Sequence, residues 1–178
     1  MNTITSKNTS VNSTKVPVMF TKIDKYYGWK KGTINLDYGG GKYDTATEYL
    51  KTKGVKNCLY DPFARDLNHN LNALYALYAL YNGFEGSKAD TITVSNVLCV
   101  VKEKVNRESI LIYTHAMLKV NGTIFISVYE GDKSGKGKIT KKDCWQNNKT
   151  LESYLPEVKK VFKNAHIEHR MIVATREE

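Results

Sequence analysis

Residues Thr33 to Asp44 place a carboxylate, Asp37, at the end of an alternating apolar run and follow it with Tyr38 and three glycines, Gly39, Gly40 and Gly41. Glycines at such a junction let the backbone turn sharply from a strand into a helix. They also leave room for a ligand to lie against the main chain, where a Cβ would intrude. A second carboxylate, Asp61, precedes Pro62 at the end of the next apolar run. It stands about 20 residues past Gly41, the distance at which a strand-helix-strand unit sets an acid against a ribose. The pattern points to a nucleoside site.

Charge narrows the nucleoside. Asp44 occupies the place of the third glycine in a dinucleotide fingerprint, and with Asp37 it opposes a pyrophosphate at the helix N-terminus. No Gly-Lys-Ser or Gly-Lys-Thr follows the glycines, which excludes a P-loop. S-adenosylmethionine fits these residues: it offers a ribose to Asp61, a cationic amino acid and sulfonium to Asp37, and no phosphate to repel. Each acid also has a plainer reading, Asp37 as a helix cap and Asp61 as a turn residue ahead of proline.

The elements that must position these groups alternate between strand and helix. An amphipathic helix over Phe20 to Trp29 should edge or lid the domain. The first strand ends at Asp37, and the glycines lead into a helix from Tyr43 to Lys53 that stops at Gly54. A strand over Asn57 to Tyr60 and a helix over Leu67 to Tyr81 follow, the latter carrying three Ala-Leu-Tyr repeats. Asp90 to Val101 reads as one long strand buried on both faces. Beyond it come a helix over Glu108 to Lys119, a strand over Thr123 to Tyr129, a helix over Leu151 to Phe162, and a last strand or hairpin over His166 to Arg176. This alternation predicts a doubly wound α/β fold with a mostly parallel sheet, and every candidate site residue falls at a carboxyl end of a strand.

Composition bounds the rest. With 178 residues, 41% of them hydrophobic, the chain can bury one core, so the expectation is a single domain over 16–178 behind a disordered Asn/Ser/Thr-rich tail over 1–15. No secretory signal pattern and no membrane-length apolar run occur. The three cysteines, Cys58, Cys99 and Cys144, show no paired spacing, which suggests a reducing compartment, by default the cytoplasm. No metal-ligating constellation is formed by His69, His115, His166 and His169. The net charge of +9 is either ordinary surface solvation or the footprint of an anionic partner, most simply DNA or RNA.

Asp37-Tyr38-Gly39-Gly40-Gly41 resembles motif I of class I S-adenosylmethionine-dependent methyltransferases, Asp61 their ribose-binding acid, and Ser95-Asn96-Val97-Leu98 the end of their fourth strand. Asp61 to Arg65, Asp90 to Leu98 and Val128 to Gly135 further resemble small methyltransferase-like proteins of phages and mobile elements. The resemblance spans roughly residues 30–178. It implies a Rossmann-like methyltransferase fold with S-adenosylmethionine as cofactor, held by Asp37 to Gly41, Asp61 and Pro62, with Asn96 and Val97 bordering the methyl group. Two departures stand out: Tyr43 replaces a further glycine, and the segment from Asp61 to Asp90 shows no clear third strand.

The acceptor side is less defined. Glu130 or Tyr129 could take a proton from an acceptor. The glycine- and lysine-rich loop after the strand over Thr123 to Tyr129, including Lys138 and Lys142, could meet a phosphate backbone, with Trp145 stacking on a base and Gln146 reading its edge. Equally, the loop is only solvated and Trp145 packs on the core. The expected function is methyl transfer to an unidentified acceptor. Its rivals are donor binding without turnover, and nucleic-acid binding on a degenerate scaffold.

Overall fold

A computed structural model describes residues 15–78 and 88–178. The expected N-terminal tail, apart from Lys15, and the end of the Ala-Leu-Tyr helix lie outside these residues. In chain order the elements are α1 (Val18–Tyr26), β1 (Ile34–Tyr38), α2 (Thr45–Thr52), β2 (Lys56–Tyr60), α3 (Leu67–Tyr78), β3 (Ala89–Ser95), α4 (Lys104–Met117), β4 (Leu118–Ser127), β5 (Lys138–Lys141), β6 (Cys144–Gln146), α5 (Leu155–Lys159), β7 (His166–Glu168) and β8 (Met171–Thr175).

Six strands form one sheet in the order β2-β1-β3-β4-β8-β7. The first four are parallel, and the β7–β8 hairpin joins antiparallel through β8. The apolar residues of β1, β3 and β4 (Leu36, Ile92, Val94, Ile124, Ile126) pack with Leu111 of α4 and Tyr154, Val158 and Phe162 around α5. On the opposite face Met19 and Ile23 of α1 meet Phe125, Met171 and Val173, while Phe20 packs with Ala46 and Leu50 of α2. Helices thus cover both faces, the doubly wound arrangement expected from the alternation. Chain order reverses between β1 and β3, which puts the switch point, where such folds bind ligands, at the carboxyl ends of those two strands.

Among the described residues the sheet ends on β2, where the doubly wound order would add a further strand. Side chains of α3 and the turn before it serve that edge instead. Tyr60 directs its carbonyl inward to the Gly39 N–H, so Leu59 and Asp61 point outward. The Leu59 carbonyl meets His69 Nε2 at 3.0 Å. Asn70 answers Asp61 in both directions: its Oδ1 accepts from the Asp61 N–H at 2.8 Å and its Nδ2 donates to the Asp61 carbonyl at 2.9 Å.

Several sequence expectations need correction. The apolar run from Asp90 does not continue as a strand to Val101. It stops at Ser95, Asn96 takes a left-handed conformation (φ 59°), and Leu98–Val100 form a 3₁₀ turn whose Leu98 and Cys99 are buried. A continuous apolar run looks the same whether its burial is achieved by strand or by turn. Helix α4 begins at Lys104 rather than Glu108, and β4 begins directly after it at Leu118. The expected helix over Leu151 to Phe162 is a 3₁₀ turn leading into the short α5. The loop after β4 contains the β5–β6 hairpin.

Candidate functional site

The three glycines turn the chain from β1 toward α2. Gly39 (φ 74°) and Gly41 (φ 76°) adopt left-handed backbone that a side chain strains. The turn is also crowded: a Cβ on Gly39 would lie 2.4 Å from Val97 Cγ2, and one on Gly40 would lie 2.5 Å from Asp37 Oδ2 and 2.7 Å from Leu59 Cγ. Gly39, Gly40, Val97 and Asp37 therefore sit together, as the sequence suggested.

Asp37 is 1% exposed. Its Oδ1 accepts from Thr93 Oγ1 at 3.1 Å, across the register that pairs the two residues. Behind this hydrogen bond runs a polar chain on the same face of the sheet. Asn35 Nδ2 donates to Thr93 Oγ1 and to Asn57 Oδ1, and Asn57 Nδ2 donates to Thr47 Oγ1 of α2. Burial pushes the Asp37 carboxyl up to about 7, and the neighbouring Asp61 charge adds to this, against the Thr93 hydrogen bond. No ion pair to Asp37 occurs among the described residues, so its carboxyl, when ionised, is a buried negative site suited to a cation.

Asp61 both shapes its turn and holds the glycines. Its Oδ1 accepts from the N–H groups of Phe63 and Ala64, the turn role foreseen for an acid before Pro62, and its Oδ2 accepts from the Gly41 N–H at 2.9 Å. An ionised carboxylate offers about four acceptor sites, so one remains open to a hydroxyl. The Gly41 peptide is gripped from its other side by Arg65, whose Nε donates to the Gly41 carbonyl at 2.8 Å while its terminal nitrogen bonds Asp44 Oδ1 at 2.7 Å. Asp44 is thereby neutralised at the start of α2. Arg65 and Asn70 carry no functional assignment from sequence alone. The available signal was a buried-face asparagine inside a helix, where that residue is a poor helix former unless its side chain is otherwise engaged.

A cleft of about 1470 Å³ opens over these groups. Its walls include the N-terminal turn of α1, Asp37 to Gly41, Asp61 to Ala64, Ser95 to Val97, the start of α4, Ser127 to Glu130, and the β5–β6 hairpin. Small-molecule pockets usually measure roughly 300–1,000 Å³, so the space exceeds what one nucleoside needs. Asn96 is exposed there, as is Tyr129 at 64%.

Of the remaining candidates, Glu130, Trp145 and Gln146 line the cleft, whereas Lys138 and Lys142 do not. Glu130 Oε1 accepts from the Leu151 N–H at 2.8 Å, and its Oε2 pairs with Lys133 at 2.9 Å. The Leu151 hydrogen bond and the Lys133 ion pair hold the Glu130 carboxyl below its ordinary range, which makes it a weak base. Gln146 is buried and donates to the Tyr129 carbonyl at 2.8 Å. Trp145 bonds Asn147 Oδ1 through Nε1 and packs against Gly137, where a Cβ would approach its ring to 2.2 Å. Lys102 lies 4.9 Å from the centre of the same ring. Lys138 pairs with Asp132 at 2.9 Å, whereas Lys142 is exposed in the hairpin turn. No group of three metal-ligating side chains is found among the described residues.

No protein-family model matches the sequence, and no curated protein matches it. Solved structures do share its fold. A 1,6-didemethyltoxoflavin-N1-methyltransferase of Burkholderia thailandensis, with bound 1,6-didemethyltoxoflavin and S-adenosylhomocysteine, superposes with a TM-score of 0.63 at 15% identity, over 90% of this chain and 77% of that one. A TehB-like S-adenosylmethionine-dependent methyltransferase of Corynebacterium glutamicum gives 0.56 at 15% identity over 96% and 94%. A T. thermophilus 16S rRNA N2 G1207 methyltransferase, in complex with AdoMet and guanosine, gives 0.57 at 15% identity over 94% of this chain and 45% of its own. The architecture is the Rossmann-like fold of S-adenosylmethionine-dependent methyltransferases.

Proposed function

We propose that this chain is an S-adenosylmethionine-dependent methyltransferase whose donor lies across the carboxyl ends of β1 and β2. One observation carries the reading: two buried carboxylates, Asp37 and Asp61, flank a left-handed glycine turn at the switch point, and Asp37 forms no ion pair among the described residues. A site so charged repels phosphate and accepts a cationic nucleoside, which supports this donor over a nucleotide.

Asp61 is the ribose acceptor in this reading, Asp37 faces the cationic end, and Gly39 and Gly40 keep the floor free of side chains. When bound, the donor would supply an electrophilic sulfonium methyl group for transfer to an acceptor lone pair. The protein's work is to align the partners and exclude water, for which few reactive side chains are needed. Val97 and Asn96 border the transfer point, and Tyr129 stands at the mouth. Glu130 is tied into the loop by Leu151 and Lys133 and is a poor proton acceptor.

Calorimetry with S-adenosylhomocysteine tests the reading. Asp61→Ala removes a charged hydrogen bond worth roughly 1.5–3 kcal/mol, an affinity loss on the order of tenfold or more. Unchanged affinity in the variant would move the ribose elsewhere. Binding of S-adenosylmethionine without any product in the presence of cell extract would instead support a donor-binding sensor.

A further inference from the structure

We propose that the β5–β6 ribbon is a nucleic-acid-binding arm, which presents the acceptor to the cleft; as an assignment of substrate it rests on the methyltransferase reading, while its binding role does not. The ribbon pairs Lys138–Lys141 with Cys144–Gln146 in antiparallel register. β6 anchors it, with Cys144 fully buried and Gln146 at 6% exposure. All four residues of β5 are exposed, Ile139 at 65%. A strand normally covers at least one face, so β5 is held out from the body with both faces open to a partner.

The charge on that arm is available. Lys133 and Lys138 are neutralised by Glu130 and Asp132. Lys136, Lys141 and Lys142 enter no ion pair among the described residues, and all three are exposed. Thr140 and Lys141 line the same cleft as the glycine turn, together with Lys22 and Lys102. The cleft thus has acids beside the glycine turn, at Asp37 and Asp61, and along the rest of its lining the lysines and Arg170 outnumber the acids Glu103, Glu130 and Glu152. A cationic donor and an anionic acceptor sort themselves to different parts of such a lining. A small anion would be met by cations inside the cleft. Here the cations continue outward along an exposed ribbon, which suits a polyanion with repeated phosphates. Two-stranded ribbons of this size enter nucleic-acid grooves or follow backbones.

The test is a fluorescence-anisotropy titration of short labelled RNA and DNA oligonucleotides across a salt series, without donor, so that failure of donor binding is read separately. The wild type is expected to bind at low salt and weaken steeply as salt rises. Replacing Lys136, Lys141 and Lys142 together by glutamine lowers the salt slope by about 2–3, at roughly 0.7–0.9 for each phosphate left without its lysine. If the triple variant melts early, Lys142→Gln alone, in the exposed turn, is expected to lower the slope by roughly 0.7–0.9. Absence of a complex at low salt, an unchanged slope in the variants, or equal binding of polyglutamate would overturn the proposal.

Discussion

Asp37 sets the pH response of the candidate pocket. Its folded pKa is raised by burial to about 7, above the ordinary aspartate value near 3.9. Between those limits the folded chain binds a proton that the unfolded chain releases, so this residue's contribution to stability falls as pH rises from about 4 to about 7. Thermal melts should show that decline in the wild type and lack it in Asp37→Asn. A cationic donor needs the ionised form, whose fraction at pH 6 is roughly a tenth, so its affinity should be about tenfold weaker at pH 6 than at pH 8. Donor titrations at the two pH values read this directly. Crowding at Gly40 gives a second residue-scale prediction. Gly40→Ala places a methyl 2.5 Å from Asp37 Oδ2 and 2.7 Å from Leu59 Cγ, so calorimetry should show donor binding abolished in a variant that still melts cooperatively.

At the scale of elements, α3 and α4 hold the cleft in place. Asn70 of α3 fixes the Asp61 backbone, and Asp61 in turn fixes Gly41. Across the fold Arg107 of α4 forms a two-point ion pair with Glu157 and donates to the carbonyls of Val101 and Lys102. Both side chains are almost fully buried, at 3% and 9% exposure. Arg107→Met strands the Glu157 charge and should cost about 3–5 kcal/mol in denaturant unfolding, more than an exposed lysine substitution. Much of this layer was legible in the sequence. The glycine turn, Asp61 before Pro62 and the β7–β8 hairpin fall where local pattern placed them, because turn chemistry and periodicity are local properties. The break at Asn96 was not legible, since Val94 and Leu98 are both fully buried although one lies in a strand and the other in a 3₁₀ turn. Nor was the work of Arg65 and Asn70, which bond to backbone 24 and 9 residues away, a relation no local window contains. The ribbon was hidden for another reason. Its exposed β5 lacks the buried alternate face that marks a strand in sequence.

For the molecule as a whole, the net charge of +9 does not extend to the floor of the cleft, where Asp37 and Asp61 stand together. That opposition is the central physical feature: a basic protein keeps an acidic pocket at its switch point, and no described helix is long and apolar enough to cross a membrane. The donor site is tested most directly by a backbone-amide NMR titration of the intact protein with S-adenosylmethionine. Saturable shifts centred on Gly39, Gly40, Gly41, Asp61 and Val97 are expected, with a rise in melting temperature set by mass action. Amides of the glycine turn that stay unmoved at saturating donor, or shifts confined to another surface, would contradict a donor site there.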